Sequence, residues 1–385
     1  MIGTSQRFTP NGSAALEEGL TETCRRVRVG VQRLIPASRL EGILLGGGYG
    51  RGEGGVLQTD QGERPYNDLE FYVFLGGNSL LAERAFRMPL HHLGEQLSPE
   101  AGLEVEFKVL TLAKLRRSPP AMFYYDLVMG HRWLVGDDTL LAGCEHHREA
   151  NRIPLHEATR LLMNRCSGLL FALERLQRPG FNSQEADFVG RNLAKAQLAF
   201  GDVLLTAHGR YHWSCLERNR RLNSFPFEGE LGWARCLVPH HDAGVDFKLH
   251  PIRSTEPRDA LQTRHRELTK LGGQLWLWLE SLRLKERFQN AGAYAHSLTN
   301  LCPETSPWRN RLIHARTFGV STALASESCR YPRERLFRSL ATALFDRNET
   351  QKLSDLQPIR GWLQTDAQDF PGIVAAYAKL WGRFN

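Results

Sequence analysis

Residues 43–74 read I-L-L-G-G-G-Y-G-R-G-E-G-G-V-L-Q-T-D-Q-G-E-R-P-Y-N-D-L-E-F-Y-V-F, and this stretch decides the fold of the chain. It opens with a short apolar run at 43–45 that ends in glycine, as expected of a buried strand. Seven glycines follow between positions 46 and 55, and glycine lets backbone N–H groups approach an anion closely. Arg51 stands among them with a guanidinium suited to phosphate oxygens. The turn therefore has the chemistry to bind phosphate.

Asp68 and Glu70 lie two residues apart at the start of the second apolar run. Successive side chains of a strand point to opposite faces, so these two carboxylates share one face. Carboxylate oxygens are the hard ligands that Mg²⁺ prefers. Beside a phosphate-binding turn they predict a site for Mg²⁺ and a nucleoside triphosphate. The two carboxylates could also be solvated residues of an ordinary strand, and the sequence leaves that alternative open.

Two other kinds of nucleotide-binding loop do not fit the glycine turn. A dinucleotide-binding fingerprint needs a helix directly after the glycines and an acidic ribose ligand about 20 residues on. Residues 56–59, Val-Leu-Gln-Thr, lead into a turn and are not typical of such a helix. A Walker loop needs Gly-Lys-Ser or Gly-Lys-Thr, which the turn does not contain.

The segments G-G-Y-G-R-G-E-G (47–54) and N-D-L-E-F (67–71) resemble the signature of the DNA polymerase β-like nucleotidyltransferase superfamily. The Asp-x-Glu form is similar to that of the antibiotic-type and minimal nucleotidyltransferases. On this resemblance Gly47 and Gly48 take the paired small positions, and Asp68 and Glu70 bind metal. The connection Gly54–Tyr66 is longer than usual, and its centre predicts the turn of an inserted hairpin. The resemblance covers the chain up to about residue 140.

The resemblance implies an enzyme that transfers a nucleoside monophosphate from a triphosphate to a hydroxyl of a small molecule or protein. It implies two Mg²⁺ ions, with ATP or another nucleoside triphosphate as substrate. The residues expected to hold the phosphates are Gly47, Gly48, Gly50 and Arg51. The superfamily also has a third carboxylate on a neighbouring strand, which binds metal and accepts the proton of the attacking hydroxyl.

The candidate for that neighbouring strand is Leu103–Leu110, where apolar and charged residues alternate. Glu104, Glu106 and Lys108 fall on one face of it. Glu106 is the first choice for the third carboxylate because it is central, and Glu104 is the second. The register is not fixed by sequence, and a solvated strand face stays possible.

The surrounding pattern predicts the rest of an α/β (α+β) nucleotidyltransferase domain with a small mixed sheet, over residues 1–150. Ser13 is a plausible N-cap for a helix to Leu34. Asn78 or Ser79 begins a second helix to about Leu97, which Pro89 breaks or kinks. A short helix ends at Met129, and a last short strand follows at 133–137.

Beyond residue 150 the pattern changes to long amphipathic helices, which predict an all-α helical-bundle region. A bundle is assigned to 151–222 and a helical C-terminal region, continuous with it, to 223–385. Residues 223–251 lack periodicity and are expected to be a long ordered loop or a domain junction. The predicted helices are 155–176, 184–207, 259–288, 308–318, 333–345 and 372–382.

The bundle supplies cations that could reach the triphosphate, and Lys195 is the one assigned to this role. Arg165, Arg191 and the Arg210–Tyr211 pair are further candidates, although each could belong to a solvated helix surface. Asp202 stands in the apolar stretch 198–205, where a carboxylate is costly unless it is paired. It is expected either to meet Lys195 or to act as a base for the acceptor.

Composition limits the class of protein. The chain has 385 residues, 42% hydrophobic and 24% charged, as an ordinary soluble protein of two domains has. The sequence has no apolar run long enough for a membrane helix and no secretory signal, so a cytoplasmic protein is expected. The seven cysteines are expected to be reduced thiols. A net charge of +7 suits polyanions, but no basic–aromatic motif supports nucleic-acid binding.

Other functions stay open from the sequence. The protein could attach nucleotides to another protein, as some toxin–antitoxin nucleotidyltransferases do, or bind nucleotides without catalysis. Arg309 and His314 fit Arg-x4-His and resemble the motif of HEPN-type ribonucleases. Three His pairs, at 91–92, 146–147 and 240–241, have no partners at metal-ligand spacing and are expected at the surface.

Overall fold

The structure is a computed structural model that describes residues 7–346 and 357–385. The chain divides into two compact units, of which the first comprises Met1–Glu157 and Leu204–Ile252. The second comprises Ala158–Val203 and Arg253–Asn385. The predicted domains 1–150, 151–222 and 223–385 cut the chain elsewhere, and they stay a prediction. None of the described helices combines the length and apolarity needed to cross a bilayer.

The fold is mixed α/β, with a small sheet and many helices. In chain order the strands and helices are α1 (Ala14–Leu34), β1 (Leu40–Leu45), α2 (Gly47–Gly50), β2 (Gly55–Thr59), β3 (Gly62–Tyr66), β4 (Asp68–Leu75), α3 (Ser79–Ala101), β5 (Glu104–Leu110), α4 (Leu112–Arg117), α5 (Met122–Met129), β6 (Arg132–Val135), α6 (Leu155–Leu176), α7 (Ser183–Ala207), α8 (Cys215–Asn223), α9 (Leu237–Leu249), α10 (Arg258–Leu284), α11 (Ala291–Ala295), α12 (Pro307–Phe318), α13 (Arg333–Leu340), α14 (Gln357–Leu363) and α15 (Phe370–Phe384). A π-helical turn, Ala341–Phe345, continues α13. Short 3₁₀ helices cover Asp138–Leu141, Glu145–His147, Ala150–Arg152, Gly229–Cys236, Val320–Leu324 and Ser326–Cys329.

The first unit is organised by a four-stranded mixed sheet in the order β5-β4-β1-β6. Strands β4 and β5 are parallel, whereas β1 is antiparallel to both β4 and β6. The parallel pair is possible because α3 forms the crossover between its two strands. The small mixed sheet expected from the sequence is therefore present.

Alternation along β4 gives the sheet two different faces. Leu69, Phe71 and Val73 are fully buried in a core with residues of α1 and α3. Tyr72 and Phe74 pack on the opposite face against residues of α4 and α5. Asp68 and Glu70, at the beginning of β4, belong to this second face but lie outside both apolar cores. The fold thus places two carboxylates where the apolar cover of the sheet ends.

The predicted hairpin is confirmed as the two-stranded antiparallel sheet β2–β3, with its turn at Asp60 and Gln61. Tyr49 joins the hairpin to the glycine turn: its hydroxyl accepts from the Tyr66 N–H at 2.7 Å and lies 2.8 Å from the Gly55 carbonyl oxygen. The buried Tyr49 ring therefore fixes the insertion relative to the turn.

The second unit is all-helical in its described residues. Its core contains Trp276 of α10, which is fully buried and has ring contacts with Tyr294, Phe337 and Phe345. Gly272 lets α10 approach α7 closely, because an added Cβ would lie 2.9 Å from the Phe200 ring. The helices predicted from periodicity at 155–176, 184–207, 259–288, 308–318, 333–345 and 372–382 all occur with shifts of a few residues at their ends.

The expectation of a loop over 223–251 is wrong, since a 3₁₀ helix and α9 occupy most of it. The buried positions of α9 do follow helical spacing, but they include His241 and Gly244 as well as Leu237 and Leu249. A stripe that mixes apolar residues with His and Gly does not register as amphipathic. The helix α8 was not predicted either.

The expectation that all three His pairs lie at the surface is wrong for two of them. His147 is buried, with Nε2 hydrogen-bonded to the Leu115 carbonyl oxygen at 2.9 Å, and His241 is buried in α9. His91 and His92 are exposed and pair with Glu95. All seven cysteines are free, as expected.

Candidate functional site

The parallel pairing of β4 and β5 brings three carboxylates together. Glu70 is in register with Glu106, and Asp68 precedes Glu70 on the same face. Ligand oxygens of Asp68, Glu70 and Glu106 all lie within 4.8 Å of one another. We call these three residues the carboxylate cluster. Glu104 is in register with Asp68 but is exposed and lies outside the cluster. The structure therefore places Glu106, the first choice for the third carboxylate, with Asp68 and Glu70, and it leaves out the second choice, Glu104.

The cluster concentrates negative charge in partly buried surroundings. Burial raises the pKa of Asp68 above its ordinary value, and the charges of Glu70 and Glu106 raise it further. Like charges this close repel unless a cation lies among them. Hard oxygen ligands on one strand face, held by backbone pairing, can therefore bind a divalent cation.

Lys108 is the residue of this site that sequence reasoning missed. Its ammonium donates to Glu70 Oε1 at 2.8 Å and lies 3.3 Å from Glu106 Oε2. Burial alone would lower the pKa of Lys108, but the hydrogen bond to Glu70 and the neighbouring carboxylates raise it. The sequence shows only that Lys108 shares the Glu106 face of β5; its pairing with Tyr72, two residues after Glu70, depends on the strand register.

The glycine turn lies directly against the carboxylate cluster. Gly47 has φ +61°, which only glycine adopts without strain, and an added Cβ would lie 2.8 Å from Glu70 Oε2. The Gly46 N–H donates to the Glu70 carbonyl oxygen at 2.9 Å. At Gly50 an added Cβ would collide with the Leu45 carbonyl oxygen at 2.2 Å. These close approaches are the physical reason that the turn is made of glycine.

Arg51 occupies a structural ion pair in this unit. Its guanidinium donates to the Trp213 carbonyl oxygen at 2.8 Å and lies 3.4 Å from Asp126, to which the Tyr211 hydroxyl also donates. Burial alone would lower the pKa of Arg51, and the charge of Asp126 raises it overall. To hold phosphate as predicted, Arg51 would therefore have to give up its ion pair with Asp126.

Glu53 of the glycine turn and Lys248, which contacts it, were not predicted either. The buried Glu53 carboxylate accepts from the Ser214 hydroxyl and from the Cys215 N–H at 2.8 Å, at the N-terminus of α8. Lys248 of α9 donates to the Glu53 carbonyl oxygen at 3.5 Å, and burial lowers its pKa. The capping-box spacing from Ser214 to Glu217 could have revealed α8, but not that Glu53 lies at its N-terminus.

The cations predicted from the bundle have different surroundings. Lys195 is exposed on α7 in the second unit, and its role as a triphosphate ligand stays a prediction. Arg191 pairs with Asp187 at 3.1 Å. Burial lowers the pKa of Arg165, and the charge of Asp202 partly offsets that effect, so Asp202 has a cationic neighbour within its own unit. Arg210, in the first unit, stacks on Phe225.

The Arg-x4-His pair of α12 is split between two environments. Arg309 is exposed, whereas His314 is buried with Nε2 bonded to the Arg330 carbonyl oxygen at 3.0 Å. Burial lowers the pKa of His314. These contacts account for His314 as a core residue of the second unit.

Comparison with models of known protein families gives no match, and neither the curated proteins nor the solved structures that were searched contain one. The geometry of the site is thus the ground for inferring function. Over residues 7–346 and 357–385, the carboxylate cluster is the one group of three His, Cys, Asp or Glu residues whose ligand atoms come close enough to hold a metal ion.

Proposed function

We propose that this protein is a Mg²⁺-dependent nucleotidyltransferase of the DNA polymerase β-like type. The observation that carries the proposal is the carboxylate cluster lying against the glycine turn, where a Cβ added at Gly47 would lie 2.8 Å from Glu70 Oε2. A strand face that carried only solvated residues would not need a positive-φ glycine at that position. Phosphate-binding backbone beside metal-binding oxygens is the combination that a nucleoside triphosphate requires.

The donor set fits Mg²⁺. Asp68, Glu70 and Glu106 offer carboxylate oxygens only, and these are close enough together for a shared ion. Asp68 has a raised pKa because of burial and its acidic neighbours, and a bound cation would relieve that repulsion. Mg²⁺ held there supplies neutralisation of charge on the phosphates and polarisation of the reacting oxygens.

The proposed reaction joins an acceptor hydroxyl to the α-phosphorus of the triphosphate. The acceptor oxygen forms the new P–O bond while the bond from the α-phosphorus to the oxygen bridging the β-phosphorus breaks, and pyrophosphate leaves. Glu106 is the proposed base that takes the hydroxyl proton, since it is the more exposed end of the cluster and faces solvent. The acceptor is a small molecule or a protein.

The glycine turn is proposed to hold the β- and γ-phosphates through its backbone. Gly47 and Gly48 carry no side chain that would keep a phosphate away from the N–H groups. Arg51 would reach the phosphates only by leaving Asp126, so the backbone is the main ligand in this proposal.

The test is titration calorimetry of ATP, GTP, CTP and UTP with Mg²⁺. We expect at least one triphosphate to bind to the wild-type protein and to lose Mg²⁺-dependent binding in Asp68→Ala/Glu70→Ala. Glu104→Gln is the matched control, because Glu104 lies on the same strand face outside the cluster and should bind as the wild type does. The nucleotide that binds identifies the preferred base.

Three outcomes separate the proposal from its rivals. Binding followed by pyrophosphate release on adding an acceptor supports transfer, and label from radioactive ATP on a protein identifies a protein acceptor. Binding without pyrophosphate in any acceptor screen indicates a nucleotide-binding protein without catalysis. Absence of binding for all four triphosphates contradicts the proposed site.

A further inference from the structure

The cation already present in the carboxylate cluster is Lys108. Its ammonium lies between Glu70 and Glu106, at 2.8 Å and 3.3 Å from their oxygens. Asp68 forms no ion pair with it at these distances. One positive charge of the protein's own thus contacts two of the three candidate metal ligands and offsets part of their negative charge.

The pairing of β4 with β5 places the Lys108 ammonium between the two glutamates. Lys108 follows Glu106 by two residues on β5, and its partner in register, Tyr72, follows Glu70 by two residues on β4. All these side chains leave one face, so the Lys108 stem passes over Tyr72, with Nζ 5.7 Å from the ring centroid. The position of the ammonium is therefore a consequence of strand register and not of a loose surface pairing.

A metal ion and this ammonium would share the same two carboxylates. Mg²⁺ binds carboxylate oxygens at about 2.0–2.1 Å, and an ammonium hydrogen-bonded to the Glu70 carboxylate would face a dication at close range. The two cations repel, so metal bound by Glu70 and Glu106 excludes Lys108 from its position. Lys108 has a flexible four-carbon stem, and its side chain is 43% exposed, so it can swing away.

We propose that Lys108 is an internal counter-ion that competes with divalent metal ions for Glu70 and Glu106, so that metal loads together with a polyphosphate and only weakly alone. This inference rests on the proposed function. When metal displaces the ammonium, the triphosphate provides the anion that Lys108 then contacts, since a lysine ammonium is a good phosphate ligand. Lys108 therefore couples the two binding events.

The coupling has a thermodynamic consequence that does not depend on turnover. If the triphosphate relieves the competition, it raises metal affinity, and metal raises triphosphate affinity by the same factor. Removing the ammonium should tighten metal binding without nucleotide and should reduce that mutual factor. A lysine that only stabilises the strand pair would have neither effect.

The experiment measures Mn²⁺ binding from the electron paramagnetic resonance signal of free Mn²⁺, with and without α,β-methylene ATP, which cannot release pyrophosphate. The variants are Lys108→Met and Lys108→Gln, and the matched control is Lys114→Met, which removes one positive charge from an exposed position of the same unit. We expect both Lys108 variants to bind Mn²⁺ about tenfold more tightly without nucleotide, and the control to stay within about twofold of the wild type. The increase in affinity caused by the analogue should be smaller in both Lys108 variants.

Two different failures can be told apart. Equal Mn²⁺ affinity in the wild type and both Lys108 variants, with binding lost in Glu70→Gln, would overturn the counter-ion role and leave the metal site standing. Absence of Mn²⁺ binding in every variant, with and without the analogue, would overturn both the counter-ion role and the proposed function. Melting temperatures close to that of the wild type show that the variants are folded.

Discussion

Two clusters of polar side chains, one around Glu280 and one formed by the three carboxylates, differ in how their acidic groups are paired. Glu280 in the second unit is fully buried, and fixed donors occupy both oxygens: Thr159 and Arg283 Nε on one, and Tyr294 and Arg283 Nη2 on the other, at 2.6–2.9 Å. The carboxylate cluster in the first unit has three carboxylates that face one another and a single ammonium.

The difference shows which cluster serves stability. Every contact of Glu280 is attractive, and the Arg283 guanidinium keeps a raised pKa despite its burial, because of its bonds to Glu280. In the carboxylate cluster, Asp68 has its pKa raised by burial and by its acidic neighbours, so its ionised form is disfavoured in the folded protein. A chain that keeps such repulsion at one place is expected to use it for binding.

The largest expected effect concerns the satisfied cluster. Glu280→Gln should lower the free energy of unfolding by about 3–5 kcal/mol, because it removes the carboxylate that is hydrogen-bonded to Arg283 and leaves this buried charge with the longer, 3.5 Å contact to Glu304. Urea unfolding followed by tryptophan fluorescence measures the loss. The exposed Glu267 of the same helix is the control, and Glu267→Gln should change stability by less than about 1 kcal/mol.

A second variant distinguishes charge from packing. If the loss comes from the buried Arg283 charge, adding Arg283→Met to Glu280→Gln should recover part of the lost stability, since burying an uncharged pair costs less than burying one poorly paired charge. A double variant that is less stable than Glu280→Gln alone would contradict the account of Glu280 as half of an ion pair.

A substitution in the carboxylate cluster should reduce activity and leave stability unchanged or higher, unlike a substitution at Glu280. Asp68→Asn should reduce nucleotide transfer on the order of 10³-fold, because several kcal/mol of metal-ion stabilisation are lost. Its melting temperature should equal or exceed that of the wild type without metal, since one repelling charge is gone. Pyrophosphate release and thermal unfolding measure the two effects. Full activity in Asp68→Asn would refute the mechanism, and a large loss of stability would refute the comparison.

The sequence predicted most of the regular structure because its signals are local. An apolar run placed β4, apolar alternation placed β5, and helical periodicity placed the long helices of the second unit. The Asp68–Glu70 spacing put both carboxylates on one face, as the structure has them. Where the local pattern of a segment decides its structure, the sequence of that segment was sufficient to predict it.

The parts that could not be predicted depend on partners far away in the chain. The choice between Glu104 and Glu106 needed the register of β4 with β5, which cannot be deduced from the sequence of either strand alone. The ion pair of Lys108 with Glu70 needed the same register. Glu53 could not be recognised as an anchor until α8 was known to begin beside it. Tertiary pairing, and not local propensity, fixed each of these roles.

A smaller effect should come from the glycine that touches the cluster. Gly47→Ala should destabilise the first unit by about 1–2 kcal/mol, since alanine at φ +61° is strained and its Cβ would press on Glu70. Mn²⁺ affinity should fall as well, because Glu70 must move. Gly62→Ala, at φ +102° with open space around it, is the control: it should share the backbone strain and leave Mn²⁺ affinity unchanged. If Gly47→Ala binds Mn²⁺ as tightly as the wild type does, the glycine turn does not position Glu70 for metal binding.

The smallest expected effect is a pH dependence in the second unit. His265 is buried, its Nε2 donates to the Leu169 carbonyl oxygen at 2.8 Å, and the Thr269 hydroxyl lies 3.4 Å from Nδ1. Burial lowers the pKa of His265, so the folded protein holds the neutral ring. The unfolded chain takes up a proton as pH falls below its ordinary pKa of about 6.5, so stability is complete above that pH and is lost below it. For this one group the loss between pH 7 and pH 6 should be about 0.5 kcal/mol.

His265→Gln isolates this contribution, because the glutamine amide can still donate to the Leu169 carbonyl oxygen but does not titrate. Urea unfolding at pH 7 and pH 6 should show a smaller difference for His265→Gln than for the wild type. His296→Gln, at an exposed position of the same unit, should keep the wild-type difference. An unchanged pH difference in His265→Gln would mean that the folded protein tolerates the charged ring. The second unit would then hold a buried cation without a fixed anionic partner such as Glu280 is for Arg283, and the contrast with the carboxylate cluster would not extend from Glu280 to His265.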